Sequence, residues 1–152
     1  MQFVIGTNNP QGGFAGLVLH PQFMSTKKYV YISYVHTFVA NNAPNGTFYT
    51  NRLVRFTYNT GTGKLESPVS ICDTLPGSSD HNGQRIIIAP VSGTDYLFYS
   101  QGDMGTGQFN NQNRTNHAQD SMSYEGKILR FNLESDGDPG TYGAFSLCLI
   151  SD

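Results

Sequence analysis

The feature that most limits what this chain can fold into is a strand pattern that runs through once and then starts again. Phe14 to Leu19 is nearly all apolar, and reads as a strand buried on both faces. Lys28 to Val35 (Lys-Tyr-Val-Tyr-Ile-Ser-Tyr-Val) is dense in β-branched and aromatic residues, the strongest strand signal in the chain. Arg52 to Tyr58 alternates charge with apolar bulk, and Asn59-Thr60-Gly61-Thr62-Gly63 turns it into Lys64 to Cys72, where Pro68 places the strand at a sheet edge. The series then restarts with Gln84 to Ala89, a buried run, then Asp95 to Ser100 and Lys127 to Leu133. Its third members match in kind: Arg52-Leu53-Val54-Arg55-Phe56 and Lys127-Ile128-Leu129-Arg130-Phe131 share one order of basic, apolar, apolar, basic, aromatic.

A repeating four-stranded unit is the mark of β-propeller blades; two unrelated meanders of a sandwich are the alternative. The reading is an all-β chain: about two blades of four antiparallel strands, blade-like units at about 14–75 and 82–150, within a single partial propeller domain spanning 1–152. Met1 to Ile5 adds a leading strand, and Phe145 to Ile150 is apolar. Propellers need about four blades to close. The missing blades therefore come from the same polypeptide or from other copies that complete a ring.

With 13% charged residues and a net charge of −2, no basic patch points to nucleic acid, and Lys27-Lys28 reads as a solvated loop. No apolar run approaches the roughly 20 residues of a spanning helix, and the first residues show no signal-peptide pattern. Cys72 and Cys148 both lie in strand-like runs; pairing in an oxidising compartment and burial as free thiols both remain open.

The candidate chemistry sits in Ser78-Ser79-Asp80-His81-Asn82-Gly83, a polar turn that runs straight into Ile86-Ile87-Ile88. This puts His81 at a strand mouth, where rigid scaffolds present functional groups. An imidazole takes a proton from an alcohol when a carboxylate fixes its tautomer and steadies the resulting cation. Asp80 is one candidate carboxylate and Asp103, in Gln101-Gly102-Asp103-Met104-Gly105, the second; plain turn capping by Asp80 is the bland alternative. His20, His36 and His117 have no carboxylate at suggestive spacing and read as structural or solvent-facing. Asp136-Gly137-Asp138 reads as a turn, and Arg55 and Arg130 as solvated or packed through their stems.

From Gln11 to Leu133 the chain resembles the soluble quinoprotein glucose dehydrogenases and their sorbosone and aldose dehydrogenase relatives. The motifs fall in the family's order: Gln11-Gly12-Gly13-Phe14-Ala15-Gly16 with His20-Pro21-Gln22-Phe23; Tyr29 to Ser33; Arg55 to Asn59; Leu75-Pro76-Gly77-Ser78-Ser79-Asp80-His81; Gly102-Asp103-Met104-Gly105 with Gln108; Asn116-His117-Ala118-Gln119; and Gly126 to Leu133. The resemblance implies a six-bladed propeller using pyrroloquinoline quinone (PQQ) and calcium, working in the periplasm or outside the cell on an aldose. It makes His81 the base at the anomeric hydroxyl, Asp103 its partner, and Gln11, Asp80 and Gln108 the lining of the sugar site. The quinone's basic clamp and the calcium ligands would come from later blades. Met104 stands where many relatives carry a polar residue, which bears on sugar preference. A non-catalytic propeller binding glycans or protein partners is the rival expectation.

Overall fold

The computed structural model describes residues 13–39, 47–108 and 111–135. Among them run seven strands: β1 (Phe14–Leu19), β2 (Tyr29–Val39), β3 (Thr47–Asn59), β4 (Lys64–Pro76), β5 (Gly83–Val91), β6 (Thr94–Gln101) and β7 (Ile128–Asn132). They form two antiparallel sheets in chain order, β1-β2-β3-β4 and β5-β6-β7. Two meanders stacked face to face are neighbouring blades of a β-propeller. The second blade shows three strands among the described residues; the runs at Met1–Ile5 and Phe145–Ile150 lie outside them.

Local chemistry accounts for the turns. Asn59 turns the chain between β3 and β4, its Oδ1 accepting from the amides of Gly61 (2.9 Å) and Thr62 (3.2 Å). Ser92 and Gly93 both take positive φ (51° and 83°), the two-residue hairpin whose twist suits antiparallel strands. Pro68 sits on the edge strand β4, where Ser67 and Pro68 together oppose Phe56 in a bulge between the Thr57–Glu66 and Arg55–Val69 pairs.

Alternation along each strand builds the core between the sheets. Tyr31, Leu53, Ile71, Cys72 and Leu75 from the first meet Ile86, Leu97, Tyr99, Leu129, Phe131 and Leu133 from the second blade. Tyr31 also donates its hydroxyl to the Leu133 carbonyl across the seam at 2.9 Å. The other face of the first sheet carries Val30, Ile32, Tyr34, Val54 and Phe56, with Phe23 and Tyr58 packed on them. Cys72 is a free thiol within the core, where burial pushes its pKa up; Cys148 lies outside the described residues.

Two burial expectations are corrected. β1 is an edge strand with Phe14, Leu17 and Leu19 exposed, because an apolar run is buried on both faces only where neighbours exist on both. β5 alternates instead of being buried throughout: Ile86 is in the core and Ile87 is 53% exposed. The arginines differ as well. Arg55 stacks on the Tyr29 ring (4.1 Å to its centroid) and Arg130 on Tyr96 (4.6 Å). Each pair joins the third strand of its blade to the second, so the repeat read from sequence is also a repeat of contacts. Lys27 and Lys28 are engaged too, with Glu134 and with the Phe23 ring respectively.

Replacing a core side chain of this seam tests the stacking. Leu53→Ala should cost about 2–5 kcal/mol in denaturant unfolding, against about 0.5 kcal/mol or less for Ile87→Ala. Equal losses would mean that the sheets do not share this core.

Candidate functional site

β4 ends at Pro76 and β5 begins at Gly83, and the link between them is held by its own side chains. The Ser78 amide donates to Asn82 Oδ1 (2.9 Å), and Asn82 Nδ2 donates back to the Ser78 carbonyl (2.8 Å). Ser78 Oγ accepts from the Asp80 amide (3.2 Å) and from Asn111 Nδ2 (2.8 Å). Asp80 Oδ1 accepts from the His81 amide at 3.0 Å. His81 and Gln84 take φ of 48° and 73° without being glycine, a strain of about 1–3 kcal/mol each that surrounding bonds must hold.

The opposing segment follows β6. Gly102 donates its amide to the Asn82 carbonyl (3.0 Å) and Met104 its amide to the His81 carbonyl (3.2 Å). A side chain at Gly102 would run into that same His81 carbonyl, so only glycine allows the approach. Asp103 is thereby set against His81, with Asp103 Oδ1 3.2 Å from His81 Nδ1 and also accepting the Gly105 amide at 3.1 Å. A carboxylate only accepts, so the neutral ring carries its proton on Nδ1 and its lone pair on Nε2. Nε2 lies 4.0 Å from Asp80 Oδ1. His81 is 34% exposed, open enough to meet a solute, whereas Asp80 is buried and its Oδ2 has no hydrogen-bond partner.

Of the five residues expected at the site, His81, Asp103 and Asp80 are brought together. Gln108 is on the same loop: its amide donates to the Gly105 carbonyl (2.9 Å), and its side chain is exposed. Gln11 lies outside the described residues. Met104 is fully buried, with its sulfur 3.7 Å from Gln101 Nε2, so it packs beneath the loop instead of facing a sugar.

Sequence reasoning missed the amides below. Asn51 Nδ2 reaches the Asn82 carbonyl and Gln101 Oε1 (3.4 Å each), Gln84 Nε2 donates to Asn51 Oδ1 (3.1 Å), and Gln101 Nε2 donates to the Pro76 carbonyl (2.6 Å). All of these side chains are buried between the sheets. A polar residue at an inward position of a strand is the signal that could have found them.

The glucose/sorbosone dehydrogenase family pattern matches residues 4–145. The chain belongs to the glucose/sorbosone dehydrogenase family. It is 33% identical over 147 residues to quinoprotein glucose dehydrogenase B of Acinetobacter calcoaceticus, covering 86% of this chain and 29% of that protein. Among solved structures it is similar to the apo-form of the soluble aldose sugar dehydrogenase of Escherichia coli (TM-score 0.58, 23% identity, 80% of this chain, 30% of that one). It is also similar to a glucose dehydrogenase (TM-score 0.59, 20% identity, 86% and 36%). The chain thus spans about a third of the length of these relatives.

For a family whose named members include a quinoprotein, the cations of the 102–127 segment are already engaged within the chain. A polycarboxylate cofactor needs cations, yet Arg114 of the 102–127 segment is bound to the buried Glu125 (2.5 Å), and Lys127 donates to the carbonyls of Ala118 (2.6 Å) and Glu125 (2.9 Å). Nor do the described residues include a group of three or more His, Cys, Asp or Glu side chains able to hold a metal ion. No helix among them is long and apolar enough to cross a membrane.

A cleft of about 440 Å³ lies elsewhere, lined by His20, Gln22 and Lys27 of the first blade and by Thr94, Asp95 and Glu134 among others of the second. Thr94 and Gln101 are opposite ends of β6, about 23 Å apart at ~3.3 Å per residue, so this cleft is remote from His81. Its charges are mutually engaged. The Gln22 amide donates to His20 Nδ1 (3.0 Å), which leaves Nε2–H facing Glu134 Oε1 at 3.7 Å, and Lys27 pairs with the same carboxylate. His117 likewise lies 3.8 Å from Asp120, so two of the three histidines expected without acidic neighbours have one.

Burial first and Lys27 second hold the His20 imidazole below its ordinary 6.5, against the pull of Glu134 and Asp95. The unfolded chain therefore takes up this proton before the folded one, and stability should fall as pH drops below about 6.5. Glu134, held low chiefly by the Lys27 hydrogen bond, adds a loss below its ordinary 4.5. His36, lowered by burial and by Arg52, shares the upper window, so the His20 share is read by difference. Thermal melts from pH 7 to 5 should slope down less in His20→Gln than in the parent; parallel slopes would exclude a buried neutral imidazole at position 20.

Proposed function

We propose that this chain is part of a quinoprotein sugar dehydrogenase that oxidises the C1 hydroxyl of an aldose to a lactone, with His81 as the general base. The observation that carries the reading is the 3.2 Å contact of His81 Nδ1 with Asp103 beside the buried, half-unpartnered Asp80. The hydroxyl proton passes to His81 Nε2, and Asp103 steadies the imidazolium and fixes the ring's orientation. Asp80 Oδ2 is a buried acceptor without a donor, which a sugar hydroxyl would meet once the loop over it shifts. Gln11 and Gln108 complete the lining of the sugar site as the family resemblance implies.

PQQ, which the resemblance places with calcium on further blades, would supply the acceptor for the hydride on C1. Exposed Phe14, Leu17 and Leu19 on the edge strand β1 and Ile87 on β5 give such blades apolar surface to cover, whether from the same polypeptide or from other copies. On this reading residues 1–152 form a single partial propeller domain, acting in the periplasm or outside the cell. A glycan-binding propeller without catalysis is the second reading, favoured by the engagement of Arg114 and Lys127 with protein groups.

One assay separates the two. The full-length polypeptide, supplied with PQQ, calcium, an aldose and an artificial electron acceptor, should turn over. His81→Ala should lower kcat about 10²- to 10⁴-fold, and Asp103→Asn on the order of tenfold or more. Undiminished turnover in His81→Ala removes the base assignment; sugar binding without quinone binding selects the second reading.

A further inference from the structure

Asn82 does more for the His81 loop than its place after the histidine suggests. Three of the four residues from 81 to 84 have positive φ: His81 at 48°, Gly83 at 72° and Gln84 at 73°. Such a run does not hold itself, because positive φ is uncommon for any residue with a side chain, even for histidine, which enters it more often than most. The bonds that could hold it converge on the residue in between. The Asn82 carboxamide closes a ring with the Ser78 peptide, accepting from its amide at 2.9 Å and donating to its carbonyl at 2.8 Å. The Asn82 carbonyl accepts from the Gly102 amide (3.0 Å), one residue before Asp103, and from Asn51 Nδ2 of the first blade (3.4 Å). One buried residue thus ties together the turn carrying Asp80, the loop carrying Asp103 and the sheet beneath both.

We propose that Asn82 is a positioning residue whose side-chain clasp on the Ser78 peptide sets the His81–Asp103 geometry. It is not placed to touch substrate. Removing the clasp strands the Ser78 amide and carbonyl in a buried turn, and the cheapest relief is for the 78–82 turn to open and His81 to leave its left-handed conformation. His81 would then move relative to Asp103, and Asp80 with it, while Gln108 on the 103–108 loop stays in place. A shift of about 1 Å at a reacting group lowers rate on the order of a hundredfold. The loss should therefore appear chiefly in kcat, with KM moved only through Asp80.

The kinetic part of this inference rests on the proposed role of His81; the geometric part does not. The test compares Asn82→Ala, Asn82→Asp and Ser78→Ala in the full-length polypeptide, with ¹⁵N-labelled histidine rings assigned through His81→Gln. In the parent, His81 should show an Nδ1-protonated ring with a carboxylate-bonded proton. Asn82→Ala should lose that proton signal and drop kcat on the order of tenfold to a hundredfold, with a smaller change in KM. Asn82→Asp, which keeps the acceptor for the Ser78 amide but sets a carboxylate oxygen against the Ser78 carbonyl in place of the Nδ2 donor, should lose the signal too. Ser78→Ala removes Oγ but leaves both clasp bonds, which use the Ser78 peptide, and should keep the signal. The proposal is overturned if Asn82→Ala, or Asn82→Asp should the alanine variant not fold, retains both the signal and parental kcat. It is equally overturned if Ser78→Ala loses the signal as completely as Asn82→Ala. Should the parent prove inactive, the dehydrogenase reading fails, and the ring signal alone still decides the role of Asn82: lost in the Asn82 variants and kept in Ser78→Ala, it upholds the clasp.

Discussion

The β5–β6 pairing does not stop where the strands stop. Beyond the Gly83–Gln101 pair, backbone bonding continues as Gly102 to the Asn82 carbonyl and Met104 to the His81 carbonyl. The two loops that carry His81 and Asp103 are therefore an irregular extension of a ladder anchored in the core, and not free connections. That is what allows two side chains of only partial burial to be set against each other at 3.2 Å. A hydrogen bond between flexible exposed groups would yield little after its ordering entropy; one between groups held by a ladder yields more.

The same seam between the blades changes chemistry along its length. Its middle is apolar, centred on Tyr31, Leu53, Leu97 and Leu129. Under His81 it becomes the amide cluster of Asn51, Gln84 and Gln101, and at the far end the charged group of His20, Lys27 and Glu134. Buried amides are costly unless their partners are fixed, and so they specify one register of the two blades where an apolar surface would tolerate sliding. Gly16 works to the same end, since a side chain there would meet the Gln84 carbonyl and the Ser33 hydroxyl. Ser33 already donates to that carbonyl at 2.7 Å, so β1 and β2 of one blade and β5 of the next are locked directly below the site.

Most of the strands were legible because period-two alternation and turn residues are local signals: Phe14–Leu19 and the turn after Asn59 are where the sequence puts them. Burial was less so. The exposure of Leu17 and Leu19 depends on what lies beside β1, which no property of the run itself encodes. The Asp80-His81 pair stood out by its setting, and its link to Asp103 came through family motifs. The groups that hold the pair did not stand out. Asn82 and Ser78 look like ordinary turn residues, and Asn51, Gln84 and Gln101 like surface amides, until the sheets stack and place them inside. Lys27 meets a carboxylate 107 positions away, a distance over which spacing carries no information.

The two ends of the seam treat polar groups in opposite ways, and that contrast is the strongest structural argument for where function resides. At the His20 end the imidazole, the ammonium and the Glu134 carboxylate face one another, and the positive φ of the neighbouring Ser92-Gly93 hairpin is what a two-residue turn requires. At the His81 end two non-glycine residues sit at positive φ within four positions, and a buried Asp80 oxygen has no donor. A fold selected for stability alone would relax the first and satisfy the second, since either defect is worth about 1–3 kcal/mol. Both persist at one place, next to the only one of these histidines that is both carboxylate-oriented and held by a strand ladder. Strain and an unmet acceptor that coincide are what a site looks like before its ligand arrives.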